Sequence, residues 1–458
     1  MFDVAIVGGG VVGCAVTREL TRHRLSVALL EARNDIGAGT SKANTAILHT
    51  GFDAVPGSTE ARLVARGYEL LRVYAPNAGI SVEETGALLV AWDDAQAANL
   101  PALAAKAAAN NYMSAEVIDA KTVRELEPHL GEGLTGGMRV PGEHLIDPWT
   151  TPIAFATEAV LNGCQLFTGF SVASCEVDAD TTLLGAADGR AVRARYVVNA
   201  AGLYGDTLHQ MFGYKGFTIR PRRGELIVFD KLARPLLQRT ILPVPTALTK
   251  GVLVAPTVFG NIMLGPTADE VTDRSATGTT RAGIDALLAK GLRILPGLVH
   301  EEVTAVYAGL RAATEHSDYQ LTAHSDSRYV CLGGIRSTGL TSSMAVAEEA
   351  VVLLSSIGLE ATKRDADQLR GASMTPLGER VERPYQRGGT VVCHCERVTT
   401  EEIEAAVSST VPANDIDGLR RRTRALAGRC QGFYCAANVC ALAAQSSRRP
   451  MSEWMGTS

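Results

Sequence analysis

The stretch Phe2-Asp3-Val4-Ala5-Ile6-Val7-Gly8-Gly9-Gly10-Val11-Val12-Gly13, continued through an apolar run that ends Val27-Ala28-Leu29-Leu30-Glu31, decides the fold. Residues 2–7 read as a short apolar strand, 8–13 as a glycine turn, 11–23 as a helix and 25–31 as a second strand. This is a βαβ unit. Gly8, Gly10 and Gly13 fit G-x-G-x-x-G between strand and helix, and Glu31 stands at the end of the next strand, where a ribose-binding carboxylate belongs. The glycines allow a tight turn, backbone approach to a pyrophosphate and close helix–strand packing, while the helix N-terminus offers unpaired N–H groups to phosphate. Glycines alone would imply only a turn. The full βαβ context points to an ADP-containing dinucleotide, and NAD and FAD share this grip.

Working outward, strands are expected over residues 86–92, 196–198, 226–229 and 329–332, with helices over 93–111, 121–127 and 342–355. Strand and helix alternate, the mark of an α/β chain. The strand at 329–332 runs into a second glycine turn and helix, so two such units bracket the first 360 residues and are expected to converge on one cofactor. From 360 to 389 the sequence turns to charged residues, proline and glycine without clear period, which suits a linker or a wrapping segment. A last domain begins near Thr390.

Composition narrows the function. In 458 residues, 46% hydrophobic and 20% charged, there is enough apolar surface for two or three domains. The 44 basic and 49 acidic residues leave a net charge of −5, which gives no bulk attraction to nucleic acid or anionic lipid. No stretch approaches the ~20 uncharged apolar residues of a spanning helix. The apolar opening has an acidic Asp3 and no basic leader, so it reads as folded structure rather than a signal peptide. The expectation is a soluble, cytoplasmic protein, peripheral to a membrane only through a partner. Arg420, Arg421, Arg422 and Arg424 form a basic cluster that suits a solvated helix face or a docking patch for an acidic redox partner.

Five of the nine cysteines crowd into the last 66 residues. Cys393 and Cys395 form C-x-C, and after 34 residues Cys430 and Cys435 form C-x-x-x-x-C. Four thiolates can hold a [2Fe–2S] cluster, with each short-spaced pair gripping one iron; zinc is the alternative, although structural zinc sites more often use C-x-x-C. Cys14, Cys164, Cys175, Cys331 and Cys440 read as buried apolar side chains.

Several segments carry a resemblance. Ser41-Lys42-Ala43-Asn44 followed by Ile47-Leu48-His49-Thr50-Gly51, then Asn199-Ala200-Ala201-Gly202, Arg223-Gly224-Glu225 and Gly333-Gly334-Ile335-Arg336-Ser337-Thr338-Gly339-Leu340-Thr341 resemble FAD enzymes of the D-amino-acid oxidase superfamily through about residue 360. That resemblance implies FAD, bound by Gly8, Gly10, Gly13, Glu31, Ser41, Asn44, Ala201, Gly202, Gly334, Arg336, Gly339, Leu340 and Thr341. The last glycine turn would set a helix N-terminus beside the flavin pyrimidine ring. The implied fold is α/β: a Rossmann-type FAD-binding domain (about 1–85, 145–220 and 320–365) interleaved with an α+β substrate domain (about 86–144 and 221–319). A linker over 366–389 and a small iron–sulfur domain over 390–458 follow. The final segment, with Cys393-His394-Cys395-Glu396 and Cys430-Gln431-Gly432-Phe433-Tyr434-Cys435, is similar to bacterioferritin-associated ferredoxins.

Within the superfamily, His49-Thr50-Gly51 and Pro56-Gly57-Ser58 are similar to L-2-hydroxyglutarate oxidases, while the C-terminal region resembles the large subunit of anaerobic glycerol-3-phosphate dehydrogenases. Both groups oxidise a carbinol of a small anion. The Arg-Tyr and Lys that the glycerol-3-phosphate enzymes usually carry are replaced by Asp53-Ala54 and Ile335. Tyr307-Ala308-Gly309-Leu310-Arg311 matches the stretch whose arginine holds the substrate's anionic end; a planar guanidinium suits carboxylate or phosphate, and a structural salt bridge is its other use. His49 can take the hydroxyl proton or merely pack against the ring; His144, His300, His316 and Tyr307 have less support. The expected activity is an FAD-dependent dehydrogenase that sends electrons through a [2Fe–2S] cluster to a separate acceptor protein or partner subunit. The competing readings are an amine or imino-acid dehydrogenase and a non-catalytic iron–sulfur sensor.

Overall fold

Val4, Ala5 and Ile6 are fully buried, as are Ala28 and Leu30, because both faces of their strands are covered. In the computed structural model, which describes residues 1–245, 251–378 and 388–455, strand Phe2–Val7 runs parallel to Val27–Leu30 on one side and to Ala191–Asn199 on the other. Gln165–Phe167 extends the sheet beyond Val27–Leu30, and Tyr329–Gly333 joins Ala191–Asn199 in parallel. Antiparallel strands Val172–Val177, Thr182–Ala186 and Gln320–His324 complete it. Helix Val11–Thr21 packs against helix Gly339–Ser356 over a core that includes Leu20, Leu29, Phe155 and Leu354. The two glycine-turn units therefore meet side by side. Helix Gly339–Ser356 begins three residues before the expected start at 342, so its first turn lies inside the glycine segment itself.

A second, mixed sheet is built from residues between 87 and 314. Its long strand Ile219–Phe229 pairs antiparallel with Val303–Thr314 along its length and with Ile262–Gly265 at its far end. Thr240–Pro243 runs parallel to Ala87–Ala91, which pairs antiparallel with Gly136–Val140. Arg223-Gly224-Glu225 lies in the middle of the strand rather than opening it. The charged start, Arg220 to Arg223, hid the strand from its apolar pattern; the ladder with Val303–Thr314 holds it in place.

Residues 359–378 wrap the first sheet's helices. Arg364 N–H donates to Arg22 O, Met374 N–H to Ala78 O and Gly378 N–H to Ser81 Oγ. Of the linker expected over 366–389, residues 379–387 lie outside the described residues. Beyond it, the hairpin Val391–Cys393 with Val398–Thr399 and the helices Thr400–Ser408, Ile416–Thr423 and Ala436–Ser447 enclose a core of their own around Val398, Ile403, Leu419, Val439 and Trp454. Thr399 and Glu402 form a capping box at the first of these helices.

Of the arginine cluster, Arg420 stays partly exposed beside Asp417, but the other three are neither a solvated face nor an outer patch. Arg421 and Arg422 are buried and pair with Asp35 at 2.8 and 2.6 Å, and Arg424 pairs with Glu396 at 2.8 Å. The cause is the seating of helix Ile416–Thr423 on the loop after Glu31, where Gly418 is required: a Cβ there would stand 1.9 Å from Asp35 Oδ2. Cys175 also departs from expectation, being only partly buried on strand Val172–Val177. Among the described residues, no helix is long and apolar enough to cross a membrane.

Candidate functional site

Gly8 adopts φ +112°, and a Cβ there would stand 2.4 Å from Ala200 O, so the turn tolerates no side chain. At Gly13 a Cβ would fall 1.8 Å from Gly8 O; this glycine lets the helix press on the turn. Gly10 differs. Its missing Cβ faces open space apart from Ser41 Oγ at 3.3 Å. Helix Val11–Thr21 starts with no side-chain cap from Gly10, and Val11 N–H donates to Ser41 Oγ. Glu31 is buried, accepting from Gly9 N–H at 2.6 Å and Arg33 N–H at 2.7 Å, and burial pushes its carboxyl up. A helix N-terminus whose first N–H is met only by the Ser41 hydroxyl, an open approach at Gly10 and a carboxylate behind the turn suit a dinucleotide diphosphate and ribose.

A cavity of about 1170 Å³ runs from this turn toward the second sheet. Gly10, Ser41, Asn44, Gly202, Gly334, Arg336, Gly339 and Leu340 line it, together with His49 and Arg311. Gly8, Gly13, Glu31, Ala201 and Thr341 are outside its lining. Ala201 N–H donates to Asn199 Oδ1, and Asn44 braces its own loop through Ser41 O and Ala46 N–H. Arg336 is held by Glu60 at 3.2 Å. Thr341 is fully buried and accepts from His49 N–H at 3.0 Å, so the last glycine turn and the histidine segment are tied together. Helix Gly339–Ser356 also starts without a side-chain cap.

His49 Nδ1 stands 2.9 Å from Glu143 Oε2, and the other carboxylate oxygen accepts from Thr50 N–H and Thr50 Oγ1. Glu143 is buried, so His49 meets a fixed carboxylate. Sequence reasoning missed Glu143; its signal was a lone carboxylate between the apolar runs at 136–140 and 145–146. Arg311 has no carboxylate partner within 4 Å among the described residues, and its one contact is Thr267 O at 3.4 Å. The structural salt bridge is thus absent among the described residues. Burial, with the neighbouring Arg222 charge, lowers the Arg311 guanidinium's pKa. Arg222 sits opposite Arg311 in the strand register, but its Nη2 pairs with Glu270 Oε1 at 3.3 Å, so Arg311 is the one of the two without a carboxylate partner among the described residues. Asp53, Ala54 and Ile335 line the same cavity. Tyr307 donates to Asn44 O, bracing the loop. His144, on strand His144–Ile146, is buried, and burial lowers its pKa; His300 and His316 lie outside the cavity lining.

All four predicted thiols are free and gather in the C-terminal domain, but their pairing crosses the motifs: Cys395 lies against Cys430, and Cys393 against Cys435. Cys393 ends its strand and turns inward, whereas Cys395 stands exposed in the following turn. Burial, reinforced by Cys393, pushes the Cys435 thiol up to about 12. Despite partial burial, the N–H groups of Tyr434 and Gly432 lower the Cys430 thiol's pKa, together with Cys395. The four thiols form two neighbouring pairs, one inner and one outer, and four thiolates are the ligand number that a two-iron group takes.

Residues 3–353 match the family described as FAD dependent oxidoreductase, and residues 391–445 match the BFD-like [2Fe-2S] binding domain. The chain belongs to the FAD dependent oxidoreductase family. This oxidoreductase is 34% identical over 462 residues to the glycerol 3-phosphate dehydrogenase of Caloramator mitchellensis, covering 99% of this chain and 96% of that protein. It is 27% identical to one subunit of the anaerobic glycerol-3-phosphate dehydrogenase of Escherichia coli (strain K12), over 96% of this chain and 87% of that one. In structure it is similar to the dithionite-reduced L-alpha-glycerophosphate oxidase from Mycoplasma pneumoniae with FAD bound: TM-score 0.75, 29% identity, 81% of this chain and 98% of the other. The oxidoreductase is accordingly an FAD enzyme with a C-terminal [2Fe–2S] domain.

Proposed function

We propose that the oxidoreductase is a dehydrogenase for the carbinol of a small anion, with glycerol 3-phosphate the first candidate. The observation that carries this reading is the placement of His49 and the uncompensated Arg311 on one cavity with the glycine segments. Similarity to glycerol 3-phosphate dehydrogenases along nearly the whole chain supports the substrate class. Arg311 holds the anionic end through its planar fork. It takes the work of the phosphate contacts replaced by Asp53-Ala54 and Ile335. Glu143 accepts the proton on His49 Nδ1 as a hydrogen bond, which leaves Nε2 as the ring's basic atom. The substrate hydroxyl proton goes to Nε2, and the carbonyl forms as hydride leaves carbon. Bound FAD supplies the hydride acceptor, and the [2Fe–2S] group supplies one-electron transfer. Gly8, Gly10, Gly13, Glu31 and Ser41 hold the dinucleotide, and Cys393, Cys395, Cys430 and Cys435 hold the cluster, from which electrons pass to an acceptor protein.

Anaerobic mixing with glycerol 3-phosphate, L-2-hydroxyglutarate or L-proline tests the reading. Loss of the oxidised-flavin band with the phosphate alone is the expected result. Bleaching by proline and not by either hydroxy compound would overturn it.

A further inference from the structure

A second cavity, of about 360 Å³, opens where the two parts of the chain meet. Ala32, Arg33, Asn34, Ala38 and Lys42 form one wall, directly after Glu31 in the chain; Asp415, Asp417 and Arg421 of the C-terminal domain form the other. Several contacts fix the two walls. Asp35, buried, receives Arg421 Nη2 and both Nη atoms of Arg422 at 2.6 to 2.8 Å. Lys42 approaches Asp417 at 3.6 Å, and Asn414 Nδ2 donates to Asn34 O. From Asp35 the tie continues inward, since Gly37 N–H donates to Gly9 O in the phosphate turn.

We propose that the iron–sulfur domain supplies the outer wall of the dinucleotide site, so that the adenosine end of FAD is closed in by Asp417 and Arg421 and its retention depends on the Asp35 grip. The inference rests on the placement of the dinucleotide at Gly8, Gly10, Gly13 and Glu31. Its physical basis is simple. A ribose held at Glu31 leaves the residues after Glu31 to meet the rest of the nucleoside, and in this chain those residues face a cavity whose far side belongs to the other domain. Lys42 and Arg421 are already held by Asp417 and Asp35, which leaves Arg33, whose guanidinium donates to Ala38 O and has no carboxylate partner among the described residues, as the cation turned to the nucleotide. A buried carboxylate shared by two arginines is costly to break, because either side left alone is an unpaired buried charge. The closed arrangement therefore persists while the domain is folded.

The test uses the full-length holoenzyme and follows FAD release by the rise of free flavin fluorescence, with iron and acid-labile sulfide measured alongside. Asp417→Trp places a bulky side chain in the cavity from the C-terminal side, at a position whose side chain is half exposed, so the fold should survive. FAD release is expected to accelerate about tenfold or more with iron content unchanged. Asp35→Asn weakens the grip without entering the cavity and should also speed release. Wild-type release rates in both variants, with Gly10→Val losing its flavin, would overturn the outer-wall proposal and leave the dinucleotide placement standing. Full flavin content in Gly10→Val would overturn the placement itself.

Discussion

At the scale of single residues, the site depends on Glu143, held by fixed partners, and on Arg311, which has no carboxylate partner among the described residues. Glu143 is anchored by Thr50 as well as by His49, so Glu143→Gln should keep the loop's acceptor for Thr50 while removing the charge that favours a protonated imidazole. The expected outcome is flavin at wild-type content with substrate-dependent flavin reduction slowed, because the amide nitrogen then faces Nδ1 and no longer accepts from it. Stopped-flow absorbance measures this, and an unchanged rate of reduction would show Glu143 to be structural only. His49→Asn should slow the reductive step by roughly 10² to 10⁴ without changing flavin content, the usual range for a lost general base. For Arg311→Ala, loss of one partner of a bidentate charge-assisted contact should cost about 2 to 4 kcal/mol, read as raised KM and lowered kcat/KM. Arg311→Lys should recover only part, since an ammonium lacks the planar fork. Wild-type kinetics in the alanine variant would remove Arg311 from the substrate contacts.

At the scale of elements, the glycine turn is the most exposed to test. Gly10 is the one motif glycine whose missing side chain faces open space, so Gly10→Val should leave the strand–helix packing intact and occupy the approach to the diphosphate. Flavin content, measured by absorbance of the purified protein, should drop while the thermal transition of the apoprotein changes little. Gly13→Val should instead damage the fold, because its Cβ would fall on Gly8 O. These turns were legible in the sequence because glycine spacing and a buried strand write themselves into local composition. The thiols were legible for the same reason, as two short spacings. Glu143, Arg222 and the Asp35 contacts were not, since each matters through a partner on another strand or in another domain. The strand Ile219–Phe229 was read only at its apolar end, because arginines that face a cavity look like a loop. The arginines of helix Ile416–Thr423 misled for the converse reason: sequence shows a charge but not the carboxylate that buries it.

For the whole molecule, the C-terminal domain rests on carboxylates whose ionisation is linked to docking. Glu396 loses hydration on burial, yet Arg424 and Lys231 outweigh this and hold its carboxyl below the ordinary 4.5. Asp230 is likewise partly desolvated, and Arg429 with neighbouring N–H donors keeps it below 3.8. A carboxyl depressed in the folded state stabilises that state above its unfolded value, and the contribution fades as pH falls through the depressed one. Docking should therefore be intact at neutral pH and loosen below about pH 4.5, judged from the ordinary glutamate value. Thermal midpoints measured from pH 7 down to about pH 2.5, through the window below the ordinary glutamate value, should fall less steeply in Glu396→Gln than in the wild type; equal slopes would show that this carboxylate does not govern the contact. Cys430→Ala should strip the iron and leave substrate able to bleach the flavin, while transfer to a one-electron acceptor slows. Zinc in place of iron and labile sulfide in anaerobically prepared protein would end the electron-transfer reading. The contacts of Asp35, Asp230 and Lys231 with Arg421, Arg422, Arg429 and Glu396 also bear on modularity. A boundary drawn near residue 390 separates two stretches of chain but not two independent parts, for the ion-pair partners of one stretch are encoded far before its own start. A chimera that exchanges only the last segment with a relative's would carry over half of each ion pair. Exchange should succeed only when the loop at Asp35 and the pair Asp230-Lys231 travel with it.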